Sequence, residues 1–202
     1  MNLLQSLESA LPITVYFAVL LFIVKECIEF IKKINNNKIK IRAIKELLAE
    51  ETEKNYWVYK VLRRTVDDAL DLKKNWPAHE CYIKTTSTNQ VLFCTVLAGD
   101  KEGHHSLPEI STDKYEKILI ELAQLDQKLF IKIQTGYSFI KEIGHVRKTL
   151  IETLEDTDED EKEMMWEGFL GYANKELEEI FLEMKNLYYS LKSAELEKFR
   201  LR

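Results

Sequence analysis

Hydrophobic positions follow one another without a break at the start of this chain, then settle into other spacings further along. From Leu11 to Val24 it reads LPITVYFAVLLFIV, fourteen residues with no charge. Carried back to Ser9 and on across Lys25, Glu26 and Glu29 to Ile31, the run reaches the ~20 residues a helix needs to cross ~30 Å of hydrocarbon. It predicts a single membrane span, with Leu11, Phe17, Leu21, Val24 and Ile28 in lipid. Lys25 and Glu29, four apart, can pair on one helix face. The competing reading is a buried helix of a soluble bundle. A cleaved signal peptide fits worse, because no basic residue precedes the run and no small-residue cleavage site follows it.

Beyond the span, Asn35-Asn36-Asn37 is the strongest local break in the first 75 residues, asparagine favouring turns and caps. From about Lys38 to Asn75 apolar residues recur three or four apart, at Ile41, Ile44, Leu48, Val58, Leu62, Val66 and Ala69 or Leu70. The polar middle, AEETEKN, interrupts the stripe. This pattern predicts a stalk helix that packs on the domain, or on a second copy of itself as a coiled coil. Trp76-Pro77 ends it, since proline disfavours helix in the residue before it.

Spacing then changes to that of strands. Glu80–Thr86 and Gln90–Ala98 are rich in β-branched and aromatic residues and flank the turn-prone Ser87-Thr88-Asn89, which predicts a β-hairpin. Its second strand is apolar on both faces and should be covered on both. Gly99–Thr112 (GDKEGHHSLPEIST) reads as the one long loop, a kind of segment that often carries function. From Thr112 or Asp113, as cap, helical spacing runs to about Leu154, with a weak point at KLFIKIQ (128–134) that also fits a short strand. Gly136 and Gly144 lie inside this stretch, where they would let neighbouring helices approach. After the acidic link from Glu155 to Glu161, a last helix to about Phe199 carries Trp166, Phe169 or Leu170, Ala173, Leu177, Ile180, Met184, Leu187 and Leu191 on one face.

Charge adds direction to this picture. Lys32, Lys33, Lys38, Lys40, Arg42 and Lys45 follow the span with no acid among them, whereas the first ten residues hold only Glu8. By the positive-inside rule the C-terminal side is cytosolic and the N-terminus outside. The cluster would also be drawn to anionic headgroups. A net charge of −5 argues against a general nucleic-acid binder. Three cysteines, Cys27, Cys81 and Cys94, form no disulfide framework and suit a reducing compartment.

Candidate chemistry is sparse. His79, Cys81, Cys94, His104 and His105 are the only grouping with metal-ligating character, with Cys81 and Cys94 expected on one face of the hairpin. Neither a C-x-x-C nor an H-x-x-x-H pair supports zinc, so structural cysteines are the plainer reading. Asp156, Asp158, Asp160 and Glu167 match a calcium loop in spacing, but Glu161 stands where glycine is required. The six glycines make no phosphate-binding loop and no nucleophile elbow. The block from Asn55 to Arg64 mixes aromatic and basic residues in the way of a base-stacking or lipid-binding surface, yet a broad apolar face with solvated cations explains it.

The expectation is a mainly α protein. It has a membrane anchor over 1–33, a stalk helix over 34–76 and a cytosolic helical domain over 77–202 with one hairpin near 80–98. No cofactor, metal or catalytic activity is expected. The function expected is that of a membrane-tethered interaction or regulatory protein, its partners the lipid bilayer and a cytosolic protein or itself, and no nucleic acid. A ligand sensor built on the hairpin and the 99–112 loop, and a membrane-acting effector of a stress or defence system, are the alternatives.

Overall fold

In the computed structural model, which describes residues 13–75, 80–97, 101–155 and 159–196, the apolar run and the stripe after it form one helix. Helix α1 spans Ile13–Asn75, 63 residues, with no interruption at Asn35–Asn37. Asparagine in a helix interior costs only about 0.5–0.7 kcal/mol relative to alanine, and the flanking lysines and isoleucines are adequate helix formers. By its contacts the chain divides into two units, Met1–Ala43 and Ile44–Arg202, and α1 contributes to both.

In the first unit the described helix has no packed face. Every residue from Tyr16 to Asn36 is exposed. Among the described residues no helix is long and apolar enough to cross a membrane. Lys25, Glu26 and Glu29 interrupt the apolar run twelve residues into α1, after about 18 Å of rise. The transmembrane helix expected from the sequence is corrected accordingly. Of its residues, Phe17, Leu21, Val24 and Ile28 are exposed on α1, and Leu11 lies outside the described residues.

The second unit is a helical bundle carrying a small antiparallel sheet. The sheet is β1 (Glu80–Thr85), β2 (Val91–Leu97) and β3 (Lys101–Ser106), in that order across. The hairpin turn is the one expected. Thr86 N–H donates to the Gln90 carbonyl at 2.9 Å, and Asn89 takes the left-handed φ of 59° that closes a three-residue loop. The third strand corrects the expected long loop. KEGHHS has little β propensity, and β3 forms because β2 offers a paired, half-covered edge. Gly103 faces Thr95 across that pair, where an added Cβ would stand 2.9 Å from Thr95 Oγ1. Phe93, Cys94 and Thr95 are consecutive and buried, so both faces of β2 are covered, as expected.

Three further helices complete the unit: α2 (Asp113–Leu125), α3 (Gln127–Glu155) and α4 (Glu159–Lys192). The break between α2 and α3 falls at Asp126, upstream of the KLFIKIQ weak point. Its backbone is extended, its N–H donates to the Leu122 carbonyl, and its Oδ1 accepts the Leu129 N–H at 3.0 Å. The i,i+4 pair Leu129 and Ile133 is buried while Ile131 is exposed, so KLFIKIQ is helix rather than strand. Helix α4 buries the face expected of it, with both Phe169 and Leu170 inside. It ends at Lys192, short of Phe199, because Ser193 turns left-handed (φ 53°) with its N–H on the Tyr189 carbonyl.

Aromatic stacks tie these elements together. Tyr56 and Tyr59 of α1 stack with Phe181 of α4, at ring separations of 5.9 and 5.4 Å. Phe93 of β2 meets Trp166 of α4, and Tyr115 of α2 lies flat on Tyr137 of α3 at 4.1 Å. Gly136 lets α3 approach α4 closely, since a Cβ there would stand 2.8 Å from Leu187 Cβ. Gly144 does the same for Ile110, on the connection into α2 rather than on another helix.

Candidate functional site

Polar residues of the AEETEKN stretch, rather than interrupting the α1 stripe, continue it. Glu51, Thr52 and Asn55 are buried at helical spacing between Leu48 and Val58. The Glu51 carboxylate accepts from Lys114 N–H at 2.8 Å and Ser111 Oγ at 3.2 Å on Oε1. On Oε2 it accepts from Tyr115 N–H at 3.0 Å and the Tyr137 hydroxyl at 2.8 Å. Two of these donors are the unpaired N–H groups that begin α2, so a carboxylate from α1 caps α2 through space. The local cap expected from Thr112 is not made; its hydroxyl donates to Glu116 instead. Asn55 completes the clamp, with Nδ2 on the Ser111 carbonyl at 2.7 Å and Oδ1 on the Ser111 N–H at 2.8 Å. Burial, and then the Glu51 charge, push the Tyr137 hydroxyl far above its usual range, which keeps it a donor. No buried side-chain nitrogen or oxygen lacks a partner among the described residues. This cluster ties α1 to α2 and α3, with Glu51 and Asn55 buried and both Glu51 oxygens engaged.

The sheet register separates the expected metal ligands. Paired residues share a face, and here Cys81 pairs with Thr95 while Cys94 pairs with Tyr82 and His104. Cys81 and Cys94 are therefore on opposite faces, which corrects the expectation that they share one. His105 pairs with Phe93, on the other face from His104. His79 lies outside the described residues. Among the described residues no three His, Cys, Asp or Glu side chains converge to hold a metal. None of Cys27, Cys81 and Cys94 is in a disulfide.

An open cleft of about 270 Å³ lies between the last turns of α1 and the sheet, lined by Asp68, Asp71, Leu72, Asn75, Thr95 and His105. His105 Nε2 is 3.0 Å from Asp68 Oδ2, so the imidazole is oriented by a carboxylate. The 99–112 segment thus contributes one residue, His105, to a concave surface. Its tail, from Leu107 to Thr112, is pinned by Arg147, whose Nε donates to the Leu107 carbonyl at 3.0 Å.

The first unit offers the larger surface. From Ile13 to Val24 the helix makes more than three turns without a charge, so every side of it is apolar. Ile13 (73% exposed), Phe17 (62%), Leu21 (66%) and Phe22 (61%) stand out from it. Lys25 and Glu29 pair at 3.7 Å, as expected. Of the six basic residues expected to form one cluster, Lys45 belongs to the second unit and donates to the Ser190 carbonyl at 3.2 Å. Lys32, Lys33, Lys38, Lys40 and Arg42 are exposed on the first unit.

No family model matches the chain, and no curated protein or solved structure matches it.

Proposed function

We propose that this is a membrane-attached, non-enzymatic interaction or regulatory protein, the first unit seated in the lipid bilayer and the second unit working in the cytosol. The observation that carries the reading is the all-round apolar surface of α1 from Ile13 to Val24. Left in water, the eight exposed Ile, Leu, Val and Phe side chains of this stretch forgo roughly 1 kcal/mol each, on the order of 10 kcal/mol in sum. A groove on a partner, or a second helix, covers one stripe and leaves the opposite side wet. Lipid covers all sides at once. The basic residues after the run, with no acid among them, support a second unit on the cytosolic face. The second unit's engaged polar cluster and its long helices suit holding a partner, or a second copy, more than catalysis.

The test is flotation and alkaline extraction of the full chain from expressing cells, with protease accessibility of a C-terminal tag. The reading expects the protein to stay with membranes at alkaline pH and the tag to survive until the membrane is opened. Release by alkali would refute the attachment; cleavage of the tag outside intact cells would reverse the orientation.

A second reading, a small-ligand sensor, is favoured by the cleft at Asp68, Asp71 and His105. Two carboxylates beside a helix C-terminus suit a small cationic ligand. Thermal-shift screening with small amines reads it, and a shift that survives Asp68→Asn with His105→Ala would count against this site.

A further inference from the structure

The cations of the first unit are arranged around α1 rather than along one side of it, and this arrangement bears on what they bind. At 3.6 residues per turn, Lys32, Lys33, Lys38, Lys40 and Arg42 point in directions that leave no gap wider than roughly 140° of the circumference. No acidic residue falls among them. Lys32, Lys33, Lys38 and Arg42 enter no ion pair among the described residues. Ile34 and Ile39 are exposed between the cations, so this stretch has no separate apolar face. A helix lying in the plane of a membrane has the opposite design, with apolar residues on one side and cations on the other. Here the apolar zone from Ile13 to Val24 and the cationic zone from Lys32 to Arg42 succeed one another along the axis, and each goes all the way round.

We infer that these five residues form a collar that binds the headgroups of anionic phospholipids, with the first unit's helix entering the bilayer end-on. The inference rests on the membrane attachment proposed above and adds the lipid class and the direction of entry. The collar covers eleven residues from Lys32 to Arg42, whose ten steps rise about 15 Å along the axis. That length spans a headgroup layer and most of the ~8–10 Å over which surface charge is felt at physiological salt. An upright helix presents all five cations to the same ring of headgroups, whatever its rotation about its own axis. A one-sided patch would satisfy only a helix lying flat. Neutral lipid would accept the apolar zone equally well but offers no anionic headgroup to the collar.

The experiment is cell-free synthesis of the full chain with phosphatidylcholine vesicles, or with vesicles containing about 30% phosphatidylglycerol, followed by flotation. A variant carries Lys32→Gln, Lys33→Gln, Lys38→Gln, Lys40→Gln and Arg42→Gln, since glutamine keeps helix propensity and removes charge. With both vesicles offered in competition, the unaltered chain is expected to favour the anionic ones by about tenfold or more, and the preference to collapse near 1 M salt. The variant is expected to show no preference while still floating. Equal recovery of the unaltered chain on both vesicles, or an anionic preference retained by the variant, would overturn the collar and leave attachment standing. Flotation on neither vesicle would overturn the attachment and the collar together. For the direction of entry, spin labels on single cysteines at Phe17 and Leu21 should report greater depth than one at Ile28; equal shallow depths at all three would mean a helix lying flat.

Discussion

Replacing Glu51 tests most directly how the second unit is held together. Its two oxygens accept four hydrogen bonds, two of them from the backbone N–H groups of Lys114 and Tyr115. Hydroxyl groups can turn away from a changed partner, but backbone N–H groups cannot. In Glu51→Gln one oxygen becomes an NH2 group, and in either orientation of the amide it faces one of these N–H donors. A buried donor left unsatisfied costs about 1–3 kcal/mol, and the charge at the start of α2 contributes roughly a further 0.5–1. Glu51→Gln should therefore lower stability by about 2–3 kcal/mol. Glu51→Ala strands both N–H groups and the Tyr137 hydroxyl and leaves a cavity, so about 4 kcal/mol is expected. Against the 5–15 kcal/mol typical of a domain, the second loss is large. The three tryptophans, Trp57, Trp76 and Trp166, all fall in Ile44–Arg202, so their fluorescence reports on this unit. Urea unfolding of the full chain in mild detergent, with the slope checked for constancy, gives the numbers. A double-mutant cycle with Tyr137→Phe should show coupling of about 1 kcal/mol. If Glu51→Gln stays within about 0.5 kcal/mol of the parent, the carboxylate is not the cap described here.

Other expectations are as specific. Gly136→Ala should destabilise by about 1–3 kcal/mol, because the new methyl meets Leu187 at 2.8 Å, whereas Gly168→Ala and Gly171→Ala meet nothing and should gain up to about 1 kcal/mol of helix propensity; thermal melts of the three rank them. Asn55→Asp loses the donor to the Ser111 carbonyl and should cost about 1–3 kcal/mol by denaturant unfolding, with Asn55→Ala no better. Burial pushes the Tyr59 hydroxyl up to about 12 from 10.0. A raised folded pKa means its contribution is complete below pH 10 and is lost as pH climbs through about 12, so Tyr59→Phe should flatten the fall in stability across that window, read by unfolding at stepped alkaline pH. An unchanged alkaline slope in that variant would assign the effect elsewhere.

Periodicity alone carried the helices a long way. The face of α4 from Trp166 to Leu191 and the hairpin about Ser87-Thr88-Asn89 are legible because burial repeats at the period of the element and the turn needs a residue tolerant of positive φ. The same is true of the apolar surface of the first unit, which is a property of consecutive residues. Three features had no such signal. β3 exists because β2 supplies its hydrogen-bond partners, and KEGHHS carries no pattern that says so. Glu51 and Asn55 read as an interruption because polarity predicts exposure, and only the placement of Ser111, Lys114 and Tyr115 against α1 makes their burial favourable. The division of Cys81 and Cys94 between two faces depends on a register that slides by one residue without any change in composition. Local spacing, in short-range terms, determined which segments are helix and strand and where charge stands along the chain. Long-range pairing decided which polar residues are inside and which side chains share a face, because those follow from partners distant in sequence.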